Sequence, residues 1–314
     1  MPNKYSVLAM ALTTIIVVRH IMKRYLTLIL TLTTFATETT AARDPHIPSN
    51  WTEGWVVAND IRMHYWRTGG EKPPMLMLHG YSDDGLCWTA IAKELEDNYD
   101  IILPDARGFG LTDPPSQSEP TDIQVQDLAS LIKALKLDKP ILLGHSMGSS
   151  SVAWFSARFP DVPKASILVD PRLVSRTPNE SAERNAGVEK RVADILQRNN
   201  TSYETLFDGQ KARNPHFSFT ELHFWVLSKQ LYHPNTAYRS ANDRPSMSEL
   251  FAKTSCPTLI LKADDQGELR EKNKIIAAIL KTGKLVHVKD ARHSVHRDQP
   301  QLFLEALNSF LDNI

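Results

Sequence analysis

The sequence predicts an α/β fold: a mostly parallel central sheet with helices on both faces and a helical cap inserted late in the chain. Three observations carry this. After residue 45, short apolar runs alternate with segments of helical periodicity. The runs are continuous, as strands covered on both faces require. Between Pro171 and about Phe251, roughly eighty residues hold no strand-like run, too many for a loop.

The elements follow in order. Residues 55–59 and 61–67 flank the turn-prone pair Asn59-Asp60 and read as a hairpin. Residues 75–78 and 101–103 are short buried strands, the second closed by Pro104. Residues 141–143, 165–169 and 258–261 each follow a proline, and 285–288 comes last. Residues 123–137 carry apolar side chains at 125, 128, 131, 132 and 135, one helical stripe. Residues 149–159 and 302–311 behave likewise. The strandless stretch divides into helical pieces at 182–198, 202–208, 220–232 and 246–253. Its position suits a cap over the carboxyl edge of the sheet, where open α/β sheets bind ligands. The expected division is an N-terminal segment 1–43, core 44–170, cap 171–250 and core 251–314.

Composition narrows the function. A chain of 314 residues, 42% hydrophobic and 23% charged, can bury a core without staples. The formal net charge is zero, which favours neither nucleic acid nor an anionic membrane surface; the expected partner is a small-molecule substrate. Cys87 and Cys256 make neither a disulfide framework nor a metal cluster and read as two separate buried thiols, although export would permit one bridge. The other histidines have no spacing that suggests zinc, and no cofactor is called for.

The N-terminus has its own pattern. Apolar runs span residues 7–18 and 25–36, separated by Arg19, Lys23 and Arg24, with no acid before Glu38. Each is shorter than the about 18 residues of a spanning helix. From Met22 the layout is that of a secretory signal: basic start, apolar middle, small residues after. The expectation is export, to the periplasm or the medium, with translation starting near Met22. A retained anchor that associates the chain with a membrane is the rival reading.

The strongest chemical signal is Gly144-His145-Ser146-Met147-Gly148, between a strand and a helix. On so sharp a turn, side chains two residues either side of the serine would strike backbone, hence the glycines. Ser146 then sits at a helix N-terminus, whose dipole favours developing negative charge.

With this elbow, the sequence resembles the α/β-hydrolase superfamily, especially its capped esterases and carbon–carbon bond hydrolases, over residues 51–314. Three further motifs match. In His79-Gly80-Tyr81, the resemblance assigns the Tyr81 backbone N–H to an oxyanion hole, with the Met147 N–H as second donor, and makes His79 a structural prop. Asp105-Ala-Arg107-Gly108-Phe-Gly110 implies charge-assisted bonds that pin loops near the elbow. The third is the acid and base. The base is His293, after the last strand, although Arg292 stands where the family usually has glycine; His296 reads as structural. The acid is expected after strand 258–261, where Asp264 is preferred over the adjacent Asp265 for lying nearer the strand end. Asp170, where some relatives place the acid, ranks third and otherwise caps or steers entry to the lid.

The resemblance therefore implies a serine hydrolase acting on a carboxylic ester or related acyl substrate, with Ser146, His293 and Asp264 as triad. Carbon–carbon cleavage of a vinylogous diketone is the alternative within enzymes. Epoxide hydrolases and haloalkane dehalogenases carry an aspartate at the elbow, where this chain has Ser146. A non-catalytic ligand-binding receptor on the same fold is the alternative of a different class. In the cap, His216, Phe217, Phe219, Phe224, Trp225 and Tyr232 could line an apolar substrate pocket, but core packing is the preferred reading for most of them, as for Trp88 and Trp154.

Overall fold

Eight strands form one sheet in the order β1-β2-β4-β3-β5-β6-β7-β8. The computed structural model describes residues 43–239 and 244–314. The strands are β1 (Thr52–Ala58), β2 (Ile61–Arg67), β3 (Pro74–Leu78), β4 (Asp100–Pro104), β5 (Ile141–His145), β6 (Ala165–Val169), β7 (Thr258–Lys262) and β8 (Gly283–His287). The β1–β2 and β2–β4 pairs are antiparallel, and every pairing from β4 to β8 is parallel. Every predicted strand is present. The β1–β2 turn places Asn59 and Asp60 at φ 49° and 62°, the positive values that a two-residue hairpin loop requires.

The pleat divides the strand side chains between two helical layers. Leu76, Ile102, Leu142, Leu168 and Ile260 share one face. There they pack with Val125, Leu128 and Ile132 of α2 (Ile123–Ala134), Val152 and Phe155 of α3 (Met147–Arg158), and Phe251 of α8 (Met247–Phe251). Their chain neighbours Met75, Met77, Ile101, Leu143, Ile167 and Leu259 are also fully buried. That double burial is why these runs are apolar throughout. Before α2 comes α1 (Thr89–Leu95); α9 (Gly267–Ala277), α10 (Val295–Asp298) and α11 (Pro300–Leu311) complete the carboxyl-terminal part.

Between β6 and β7 the described residues form helices and no strand, as expected: α4 (Pro178–Ala186), α5 (Val188–Asn199), α6 (Tyr203–Arg213), α7 (Phe219–Leu231) and α8. The single helix predicted over 182–198 is divided at Gly187, the residue between α4 and α5. Local capping sets the starts. Thr177 with Glu180, Ser218 with Glu221 and Ser246 with Glu249 form reciprocal capping boxes, and the Ser202 hydroxyl accepts from the Thr205 N–H.

A buried ion network ties α7 to the loop after β3. Lys229 Nζ donates to Asp83 Oδ1 at 2.7 Å and to the Ser82 carbonyl at 2.5 Å, while Arg297 donates to Asp83 Oδ2 at 3.2 Å. Burial alone would raise the Asp83 carboxyl, but Arg297 and Lys229 hold it well below the usual carboxylate range. The cap is thus clamped beside the loop that carries Tyr81.

Cys87 and Cys256 are both buried and free, as the composition suggested. The expected N-terminal leader lies outside the described residues. Among the described residues, no helix is long and apolar enough to cross a membrane.

Replacing Lys229 by methionine leaves Asp83 with one cation in a buried site. Urea unfolding is expected to find a loss of about 3–5 kcal/mol; a loss below about 1 kcal/mol would mean that the clamp is not a principal support of the cap.

Candidate active site

The site is built at the carboxyl edge where β5 and β6 lie side by side. Their register pairs His145 with Val169, so the next residues, Ser146 and Asp170, leave the sheet as neighbours. The Ser146 N–H donates to the Val169 carbonyl at 2.9 Å and locks the two strand ends together. Both residues then turn sharply: Ser146 has φ 49° and ψ −102°, and Asp170 has φ 44°. Such backbone is costly for a side-chain-bearing residue and persists only where its surroundings enforce it. A Cβ on Gly144 would lie 2.4 Å from the Gly148 backbone, and one on Gly148 would lie 2.5 Å from the Leu78 carbonyl oxygen. The two glycines therefore let the elbow close against itself and against β3.

His293 reaches across both strand ends. Its Nε2 lies 3.1 Å from Ser146 Oγ, and its Nδ1 lies 2.5 Å from Asp170 Oδ2. His293 thus meets Asp170, and not Asp264, the acid the sequence preferred. Asp264 instead accepts from Arg270 at 3.0 Å and from the Asp290 N–H at 3.1 Å, and so serves the loops behind the site. Asp265 accepts from Asn273 at 2.8 Å and lies 3.3 Å from Lys262. Both aspartates after β7 are engaged elsewhere, while Asp170 leaves β6 directly beside β5.

In the place of an acid, β7 supplies Lys262, a residue that belongs to none of the four motifs. It donates from Nζ to Asp170 Oδ1 and, at 3.1 Å, to the Pro171 carbonyl. The Ala263 N–H adds a bond to the same carboxylate oxygen at 3.1 Å. Burial alone would raise the Asp170 carboxyl, but the His293 bond and the Lys262 ammonium hold it down to about 2. One signal was available: a lysine that closes the buried apolar run 259–261 has to find an acid.

His79 and His296 sit as the sequence suggested. His79 is buried; its Nδ1 meets the Gly80 carbonyl at 2.7 Å and its Nε2 accepts the Ala106 N–H at 2.9 Å, which props the Gly80-Tyr81 loop. His296 packs on Trp88 with ring centroids 4.3 Å apart. His145 has a role the sequence did not disclose. Its Nε2 lies 2.9 Å from the His293 carbonyl and anchors the loop that carries His293. Burial, with His293 nearby, pushes its imidazole down to about 4.

The Asp105 and Arg107 loop is structural, as expected. Asp105 accepts from the N–H groups of Gly85 at 2.7 Å and Leu111 at 2.9 Å, and Arg107 forks onto Asp127 at 3.0 and 2.6 Å.

A cavity of about 520 Å³ opens in front of Ser146, with Tyr81, Met147, Asp170 and His293 on its wall. Met147 is the first residue of α3, where a backbone N–H has no intrahelical acceptor. None of the six cap aromatics lines this cavity. Phe217, Phe224 and Tyr232 are buried in packing instead, Tyr232 stacked with Phe109 at 6.0 Å. The cap faces the cavity with arginines.

The Alpha/beta hydrolase family model matches residues 75–306. Relatives include Epoxide hydrolase 1 of Caenorhabditis elegans, 26% identical over 309 residues, covering 85% of this chain and 72% of that protein. Another is the 2-(acetamidomethylene)succinate hydrolase of Mesorhizobium japonicum, 25% identical over 273 residues, covering 78% and 90%. Among solved structures, a thermophilic esterase from Thermogutta terrifontis with malate bound shares the fold at a TM-score of 0.67 and 24% identity, over 83% of this chain and 98% of that one. With a family match over most of its length and the elbow on the strand order described, the chain belongs to the alpha/beta hydrolase family.

Proposed function

We propose that this protein is a serine hydrolase that cleaves a carboxylic ester or a closely related acyl bond through an acyl-enzyme. The observation that carries the reading is His293, within hydrogen-bond reach of Ser146 Oγ on one side and of Asp170 on the other, at the wall of a substrate-sized cavity.

A serine hydroxyl is a weak nucleophile until a base takes its proton. As Ser146 Oγ bonds to the substrate carbonyl carbon, His293 Nε2 accepts that proton. The carbonyl oxygen becomes an oxyanion, received by the backbone N–H groups of Tyr81 and Met147, each worth about a hundredfold or more in rate. His293 then returns the proton to the leaving group as the carbon–heteroatom bond breaks. Water, deprotonated by the same nitrogen, releases the acid and restores Ser146. Asp170 keeps the Nδ1 proton in place and stabilises the imidazolium without itself taking the proton. Lys262 holds Asp170 ionised and oriented. A hydroxyl nucleophile beside an imidazole favours acyl transfer over the aspartate-based chemistries of this fold.

A fluorophosphonate probe is expected to label Ser146 in the folded protein and to leave Ser146→Ala unlabelled. A wild-type protein that stays unlabelled would favour the non-catalytic, ligand-binding reading.

The two candidate acids separate by mutation. Asp170→Asn is expected to lower kcat on an activated ester by about a thousandfold or more, while Asp264→Asn changes it little. The reverse pattern would return the role to Asp264.

Acid unfolding carries a third expectation. The Asp170 carboxyl is held at about 2, below its ordinary 3.8, so its ionised form favours the folded state. That contribution is complete above pH 3.8 and lost as the pH falls towards 2. Circular dichroism of Asp170→Asn is expected to lack this part of the stability loss; an identical slope in both proteins would contradict it.

A further inference from the structure

The cavity in front of Ser146 is strongly basic. Its wall holds Arg172, Arg176, Arg184, Arg239, Arg244 and Lys262 against two acids, Asp170 and Asp265. Both acids are engaged: Asp170 with His293 and Lys262, Asp265 with Asn273 and Lys262. The chain as a whole has a formal net charge of zero, so this excess is local. All five arginines come from the segment between β6 and β7.

Among the described residues, no carboxylate lies within ion-pair distance of Arg176, Arg184, Arg239 or Arg244. Only Arg172 has an acid, Glu180, at 4.0 Å and in an exposed pair. The guanidinium groups also feel one another. Burial and then Arg172 and Arg184 lower Arg176, and burial and then Arg244 push Arg239 down to about 9. Arg239 donates to Gln124 Oε1 at 2.7 Å and rests against the Met147 side chain, so one positive charge stands beside the nucleophile's neighbour. A second cavity of about 540 Å³ shares Arg172, Arg176, Arg239 and Arg244 with the first, so these four stand where the two spaces meet.

Like charges gathered in a partly desolvated pocket repel and lose hydration. Structural arginines are ordinarily matched by acids, as Arg107 is by Asp127 here. Arginines that line an open cavity without a carboxylate partner can turn their donors to carboxylate or phosphate oxygens. We propose that this wall binds a substrate carrying anionic groups, carboxylate or phosphate, away from the bond that Ser146 attacks. The inference rests on the Ser146 reading for the reaction, and it adds the class of substrate. Binding of the remote anion offsets the repulsion among the arginines and orients the scissile carbonyl over Ser146.

The test has two arms. In the first, p-nitrophenyl hexanoate is compared with mono-p-nitrophenyl adipate, in which a carboxylate replaces the terminal methyl. The expected kcat/KM favours the adipate by about tenfold or more, and the preference shrinks as salt is raised. It also shrinks in the double variant Arg176→Gln/Arg239→Gln, whose thermal unfolding is expected at no lower temperature because repulsion has been removed.

In the second arm, Ser146→Ala protein is titrated by calorimetry with propane-1,2,3-tricarboxylate and with inorganic pyrophosphate, with and without the two arginine substitutions. Binding weakened by those substitutions supports the anion site, and the tighter of the two ligands identifies carboxylate or phosphate. If such binding occurs while neither ester is turned over by the wild type, the triad reading fails and the anion site stands. If the esters are hydrolysed with no preference for the adipate and neither anion binds, the anion site is overturned and the triad reading stands.

Discussion

Everything at this site depends on the register between β5 and β6. Pairing His145 with Val169 brings Ser146 and Asp170 out of the sheet side by side. A slip of one residue would turn the slipped strand's side chains to the opposite faces and part the two residues. That register is held by apolar side chains buried above and below the strands, which leaves no room for an alternative pairing. The strain at Ser146 and Asp170 is therefore supported by the hydrophobic core, and His293 needs only to reach over two positions already set.

Much of this was legible in the residues. Runs buried on both faces have to be continuously apolar, so the central strands announced themselves, and Gly144 and Gly148 marked the elbow. His293 was found by its place after the last strand. The acid was not. An aspartate after β6 and one after β7 look alike in one dimension; what separates them is where each carboxylate points. Asp264 is drawn away by Arg270 and the Asp290 N–H, and Lys262 draws Asp170 inward. Those partners lie up to 92 residues apart in the chain, beyond any local pattern.

The cap tells a similar story. Its aromatics suggested an apolar pocket, yet a helix buries its largest rings where they pack best, and Phe224 and Tyr232 went to the interior. The side chains left to face the cavity are arginines, spread over the sequence from 172 to 244 and gathered only by folding. Zero net charge hid them. The Lys229–Asp83–Arg297 clamp holds α7 beside the loop that bears Tyr81.

The central claim is that Asp170, through His293, serves Ser146. Proton NMR of the His293 Nδ1–H tests it most directly, because a proton held between imidazole and carboxylate resonates far downfield. A far-downfield signal that vanishes in Asp170→Asn and persists in Asp264→Asn is the expected result. A signal lost with Asp264 and kept without Asp170 would contradict the account.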